Sequence, residues 1–439
     1  MANANLSAAK AAKNDEFYTQ LSEIRDELNN YTDKFHGKVV FCNCDDPAES
    51  NFVRYFLMNF NRLGLKELIA TGYQTSPVRG KRVKLWSEPY AIRVTETKAY
   101  LVGTQTDLDT NGADYFLEAE RDRISYPLYG NYAVDENGER IQIDVKEEYV
   151  DEKTGKIKKR TVKHDLYYEA GDFRSDMCIE LLQQADIVVT NPPFSLFREY
   201  VAQLMQYGKQ FLIIGNMNAI TYKETFPLLK DNKMWLGCKT LGSEMYFSVP
   251  DDYKEYLVAY KKEGSAYKVI DNVVVGRMAA ACWFTNLDHA KRHRMLPLDL
   301  GFTYYGHEDM YPRYDNYDAI EVSKVSQIPS DYEPCWYKCP QSQNCAYAQS
   351  KGKVDQALCE KACNGQMGVP ITFLDKHCPD QFEIVGADFD LAVKIDLPDG
   401  SVGSGRFYVG VTGTAEQQNS RTAEYRRLYS RIVIRKKKV

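Results

Sequence analysis

The stretch Asp186-Ile-Val-Val-Thr190-Asn191-Pro192-Pro193-Phe194-Ser-Leu-Phe-Arg-Glu-Tyr200 limits what this chain can fold into more than any other. Ile187, Val188 and Val189 form a short unbroken apolar run, the pattern of a strand covered on both faces within a parallel sheet. Two prolines then end the strand, because neither donates a ladder hydrogen bond and each fixes its own φ. Beyond them Ser195 is placed to cap a helix whose apolar positions Phe197, Val201 and Leu204 recur at helical spacing. Ligands of open α/β sheets sit beyond the carboxyl ends of the strands, so Asn-Pro-Pro-Phe occupies a working edge.

The tetrapeptide has a definite chemical use. An exocyclic amine on a base is a poor nucleophile, since its lone pair is conjugated into the ring. An Asn191 carboxamide oxygen and a Pro192 carbonyl, held by the Pro-Pro193 turn, can accept its two N–H bonds and draw the nitrogen toward a pyramidal geometry. Phe194 can stack on the base, which must leave the duplex to arrive there. The motif resembles the catalytic tetrapeptide of amino-group DNA methyltransferases, and Asn in first place is the adenine type. A proline-rich turn closing a core strand has the same sequence.

The remaining elements assemble around this one. Leu21, Ile24 and Leu28 lie on one helical face, and Val39-Val40-Phe41 reads as a buried strand ending in Cys42-Asn43-Cys44-Asp45-Asp46-Pro47. A helix follows from about Ser50 to Leu63, then a strand at Leu68-Ile69-Ala70. Acids at the tip of the first strand suit a ligand carrying hydroxyls or an amine; the glycine-rich cradle of a pyrophosphate is absent. Further strands are expected at Phe211-Gly215 and Ala279-Phe284, and near the C-terminus at Phe382-Val385, Leu391-Ile395 and Arg431-Arg435. The alternating order predicts an α/β class, a doubly wound and mostly parallel sheet, with an inserted β-arm and a C-terminal α+β region.

With 439 residues the chain has room for two or three domains. The expected division is a catalytic domain over 1–295, with a β-hairpin insertion at about 104–170, and a target-recognition region over 296–439. No apolar run approaches the ~20 residues that cross a bilayer, and Met1–Asn14 has no apolar signal core, so a cytoplasmic protein without membrane contact is expected. A net charge of −5 excludes a uniformly basic nucleic-acid binder but not a local basic cleft. Two such clusters are candidates for phosphate contact: Lys158, Lys159 and Arg160 in the arm, and Lys291, Arg292 and Arg294 past the last core strand. Both fit solvated turns and lysine-protected edges equally well.

Longer stretches carry a fuller resemblance. Lys13–Gln20, Asn43–Pro47 with Glu49–Phe52, Gly171–Ser175, Ala185–Asn216, Cys282–His289, Tyr314–Ile320 and Met367–Lys376 follow one another as in the EcoRI-type adenine-specific DNA methyltransferase family, which the chain resembles over most of its length. The resemblance implies S-adenosylmethionine as methyl donor, with Tyr18 and Thr19 near its methionine end, Asn43, Asp45, Asp46 and Pro47 at its binding strand, and Asp172 and Phe173 near its adenine. Asn191, Pro192, Pro193 and Phe194 would be catalytic. It implies a site-specific DNA adenine-N6 methyltransferase of restriction-modification or orphan type, acting on duplex DNA as a monomer, with a cognate restriction endonuclease as a candidate partner. The alternatives are methylation of RNA adenine or of a protein glutamine, or a DNA-binding protein without catalysis. The chain lacks both the glycines usual after the first strand and the acid usual at the end of the next, Ile69-Ala-Thr-Gly-Tyr73.

One block stands apart. Five of the 11 cysteines, Cys335, Cys339, Cys345, Cys359 and Cys363, fall within a segment at about 333–366 that reads as an insertion. In a cytoplasmic protein four of them could close a tetrahedral zinc site; free thiols are the other reading, and an iron–sulfur cluster uses the same ligand type.

Overall fold

The computed structural model describes residues 18–72, 90–96, 110–151, 155–249, 251–270, 272–278, 280–298, 301–334, 337, 364–403, 405–411 and 424–438. The chain divides into two compact units, one of Met1–Ala219 with Gly237–Leu287, the other of Ile220–Leu236 with Asp288–Val439. Among the described residues no helix is long and apolar enough to cross a membrane.

The first unit is built on a large mixed sheet. Its strands are β1 (Val39–Cys42), β2 (Glu67–Thr71), β3 (Tyr90–Val94), β4 (Ser125–Pro127), β5 (Ile187–Thr190), β6 (Gln210–Asn216) and β7 (Ala281–Thr285). In space they run β7-β6-β5-β1-β2-β3-β4. The four central strands are parallel, and the apolar runs of β1 and β5 are buried throughout, as strands covered on both faces must be. The outer strands β7, β3 and β4 pair antiparallel, so the expectation of a mostly parallel sheet holds only for the centre. A helix, Thr110–Ile124, lies in the connection from β3 to β4.

Among the described residues, the helices that attend the sheet are α1 (Leu21–Leu28), α2 (Asn51–Leu63), α3 (Thr110–Ile124), α4 (Asp176–Gln184) and α5 (Phe197–Gln206). Ser50 caps α2 by accepting from the Phe52 amide, and Gly64 ends it in the left-handed region at φ 63. Phe52, Val53, Phe56, Leu57, Phe60 and Leu63 bury its inner face. The arm was expected over 104–170, yet residues 110–127 form α3 and β4 of the main sheet. Ala113, Phe116, Leu117 and Ile124, all buried, repeat at helical spacing, and that period decides the element. The hairpin proper pairs Gln142–Val150 with Ile157–Asp165 and is largely exposed. Residues 152–154, between the two strands, lie outside the described residues.

Ser195 does not cap α5. It sits in a single 3-10 turn, Phe194–Leu196, and α5 starts at Phe197 with no side-chain cap. Phe197, Val201 and Leu204 are buried as expected, joined by Tyr200. A side chain at Gly215 of β6 would bring its Cβ within 2.4 Å of the Phe197 ring, so α5 lies flush on the sheet only because that position is glycine.

The second unit has a four-stranded sheet, ordered Ile320–Glu321, Met367–Pro370, Arg431–Lys436, Phe382–Ala387, and a separate ribbon of Tyr408–Val411 with Glu424–Arg427. Tyr314 and Tyr317 stack on Phe407 at 4.2 and 5.3 Å, and the buried Glu321 carboxylate holds Arg431 at 2.7 Å. The strand expected at Leu391–Ile395 is absent. Asp388–Leu391 form a short helix instead, in which the fully buried Asp388 accepts from the Phe389 amide and pairs with Arg406 at 2.8 Å.

Candidate active site

The loop from β1 to α2 has no glycine to ease it, so side chains hold it. Asn43, Asp45 and Asp46 are all buried. Asp45 accepts from the Ser50 hydroxyl at 2.8 Å, and Asp46 accepts from the Ala48 amide at 3.0 Å and the Tyr90 hydroxyl at 3.1 Å. Burial, with the Asp46 carboxylate beside it, pushes the Tyr90 hydroxyl well above its ordinary pKa and keeps it a donor. Cys44 takes φ 72 at the bend. Behind the loop the fully buried Arg54 donates to the carbonyls of Glu49 and Ala48, both at 2.5 Å, and pairs with Asp114 of α3 at 2.9 Å. Two hydrogen bonds from a fully buried guanidinium thus hold the end of the loop.

The motif strand is bonded to the loop. The Thr190 hydroxyl, next to Asn191, lies within hydrogen-bond distance of the Asn43 carbonyl and 2.5 Å from Asp45 Oδ2, and shares its one proton between them. Register makes this inevitable: Ile187 and Val188 of β5 sit opposite Val40 and Phe41 of β1, so both strands end together. Asn191 and Phe194 are half-buried and Pro192 is buried, with Phe194 packed on the main core.

Two further segments join the cluster. Asn51, the first residue of α2, donates to the Thr19 carbonyl at 2.8 Å, which ties the Tyr18–Thr19 strand to the loop. Gln203 of α5 donates to the Phe173 carbonyl at 3.1 Å, and the Phe173 ring meets Tyr200 edge-on at 5.0 Å. The Asp172 carboxylate is held at both oxygens by Arg174, at 2.9 and 2.8 Å, and this pairing raises the Arg174 pKa. Hydrogen bonds therefore tie Thr19 to the start of α2, and Asn43 and Asp45 to Thr190 beside Asn191, whereas Asp172 and Phe173 bond to Arg174 and Gln203.

Within this cluster some polar atoms have no partner among the described residues. Asn43 Oδ1 accepts from Thr71 at 3.2 Å, but its Nδ2 is buried without an acceptor, and the buried Thr19 hydroxyl is likewise unmatched. Unmatched buried groups cost about 1–3 kcal/mol each, and they are what a polar ligand would satisfy. A donor amide and a hydroxyl suit a ligand with a carboxylate, an amine and ribose hydroxyls.

The predicted phosphate contacts stand differently. In the hairpin, Lys158 pairs with Asp151, Lys159 with Glu148 at 3.0 Å and Arg160 with Glu147 at 3.2 Å, so the run is locally neutralised. In the second unit Lys291 holds Asp375 at 2.6 Å and Arg292 covers the Trp235 ring at 3.8 Å, whereas Arg294 is exposed. Cys335, Cys339, Cys345, Cys359 and Cys363 lie outside the described residues. The other six cysteines are free thiols, and among the described residues no group of His, Cys, Asp and Glu is arranged to hold a metal.

Sequence reading missed Thr190, Ser50, Arg54, Tyr90 and Tyr200. Thr190 carried a signal, a hydroxyl ending an apolar run beside the motif. Tyr90 and Arg54 carried none, because their partners are fixed only by the folded sheet.

The family described as Adenine-specific methyltransferase EcoRI matches residues 5–336 and 338–437, a range that includes most of the cysteine block. Type II methyltransferase M.EcoRI of Escherichia coli is 38% identical over 383 residues, 87% of this chain and 89% of the relative. Type II methyltransferase M.MgeORF184P of Mycoplasma genitalium is 30% identical over 431 residues, 98% of each chain. Type II methyltransferase M.MpnI of Mycoplasma pneumoniae is 32% identical over 381 residues, 86% of this chain and 83% of the relative. No solved structure matches the chain. The chain belongs to the EcoRI-type adenine-specific DNA methyltransferase family.

Proposed function

We propose that this DNA adenine methyltransferase works on a target adenine turned out of the duplex, with Asn191, Pro192, Pro193 and Phe194 as its catalytic tetrapeptide. The observation that carries the reading is the Thr190 bridge, which fixes the start of that tetrapeptide to the donor-side loop. The Asn191 carboxamide oxygen and the Pro192 carbonyl accept the two amine hydrogens, and Pro193 holds the turn. Phe194 supplies a face for the base. S-adenosylmethionine, the cofactor of methyltransferases in this family, supplies an electrophilic methyl group. Asn43 and Thr19 offer it the unmatched polar atoms described above, and Tyr18, Asp46, Pro47, Asp172 and Phe173 complete its surroundings. Asp45 acts through position, since both of its oxygens serve the loop and the motif.

The second unit is assigned the reading of the target sequence, and Arg294 and the arm cations Lys158, Lys159 and Arg160 the contact with phosphates, together with Lys291 and Arg292. The relatives' names as Type II methyltransferases support a restriction-modification role with a cognate endonuclease. For Cys335, Cys339, Cys345, Cys359 and Cys363 the proposal of a structural zinc rests on their clustering in the sequence.

Three outcomes are expected. Labelled methyl from S-adenosylmethionine appears on adenine of mixed-sequence duplex DNA, and Asn191→Ala abolishes it while the protein still binds S-adenosylmethionine; label on RNA or protein would overturn the reading. Thr19→Val leaves the cofactor-free protein as stable as before, because a hydroxyl without a partner is lost, yet weakens S-adenosylmethionine binding about tenfold, the ~1 to 1.5 kcal/mol of one hydrogen bond. Unchanged calorimetric affinity would remove Thr19 from the site. Protein purified without chelator carries about one zinc per chain, and a ratio near zero by elemental analysis contradicts the metal.

A further inference from the structure

A cleft of about 290 Å³ in the second unit is lined by Arg406, Arg427, Leu428, Tyr429 and Ser430. It lies at the small end of the roughly 300–1,000 Å³ typical of small-molecule sites, so it suits one nucleotide-sized group and not a whole cofactor. Its walls are unlike one another in a useful way. Leu428 is buried in the core beside Phe407 and donates its amide to the Phe407 carbonyl at 3.1 Å. The next residue, Tyr429, is 90% exposed. Ser430 then turns back and accepts from Arg406 at 2.8 Å. The aromatic ring is thus carried outward on backbone anchored at both sides.

The two arginines differ as well. Arg406 is held by Asp388 and Ser430, both at 2.8 Å, so its guanidinium is fixed and its charge largely offset. Arg427 is exposed at the end of the Glu424–Arg427 strand, opposite Tyr408, and among the described residues no ion pair engages it. Arg426, its neighbour, is exposed too. A guanidinium with no ion-pair partner among the described residues, beside an outward aromatic on anchored backbone, matches a nucleic acid, which presents a phosphate and a base face a few ångströms apart.

We infer that the Arg427–Tyr429 turn is a DNA-contacting element, in which Arg427 takes a backbone phosphate of the duplex and the Tyr429 ring packs on, or wedges beside, a base. The inference rests on the reading of this unit as the one that meets DNA, and adds which residues do so. A ring in that role would be sequence-tolerant in affinity but sensitive to how easily a base step opens.

The test uses the full-length protein, a fluorescent mixed-sequence duplex DNA at several salt concentrations, and S-adenosylmethionine binding measured in parallel. Arg427→Gln is expected to weaken DNA binding and to lower the slope of log affinity against log salt by about 0.9, one phosphate contact. Tyr429→Ala is expected to weaken binding about 5- to 150-fold with the slope kept, while Tyr429→Phe binds as wild type. Affinity for S-adenosylmethionine stays unchanged in all three. Variants that bind DNA like wild type overturn the inference and leave the reading of the unit intact; a wild-type protein that fails to bind the duplex overturns both. A parallel loss of S-adenosylmethionine affinity would trace the effect to folding and also overturn it.

Discussion

One hydroxyl joins the two halves of the site. Thr190 ends β5, and its side chain lies against the Asn43 carbonyl and the Asp45 carboxylate at the end of β1. All three groups are buried, where hydrogen bonds are stronger than in water and an unmatched group is costly. The tetrapeptide that begins one residue later therefore cannot shift without disturbing the loop proposed to face the methyl donor. Methyl transfer depends on such fixed placement, because a displacement of about 1 Å from attack geometry is expensive.

The loop itself solves a problem that related architectures solve with glycine. Without glycines between Asp45 and Ser50, the chain bends through Cys44 at φ 72 and closes on its own carboxylates. Arg54, reaching back from α2, takes the two carbonyls that the bend leaves turned inward. The residues that resemble a departure from the usual pattern are a different way of making the same rigid edge. Thr71, at the end of β2 where other methyltransferases usually carry an acid, donates to Asn43.

Much of this was legible from one sequence. Buried runs such as Val39–Phe41 and Ile187–Val189 identify central strands because solvent is excluded from both faces, and Phe197, Val201 and Leu204 identify a helix because the period is 3.6. What could not be read was pairing at long range. Tyr90 meets Asp46 across 44 residues and Thr190 meets Asp45 across 145, and neither distance leaves a local trace. Charge pairing is long-range in the same way: Lys158, Lys159 and Arg160 stand out in the sequence as a positive run, and the fold sets Asp151, Glu148 and Glu147 beside them. Helix α3 was hidden because polar residues between Ala113 and Ile124 mask a four-point apolar stripe.

The claim that motif and donor loop act as one unit is tested most directly by a double-mutant cycle on kcat/KM for adenine methylation, using Thr190→Val and Asp45→Ala. Shared function predicts strong non-additivity: the double variant is little worse than the poorer single one, with a coupling of about 1–3 kcal/mol. Effects that add to within ~0.5 kcal/mol would mean that the two residues serve catalysis independently, and would contradict the account.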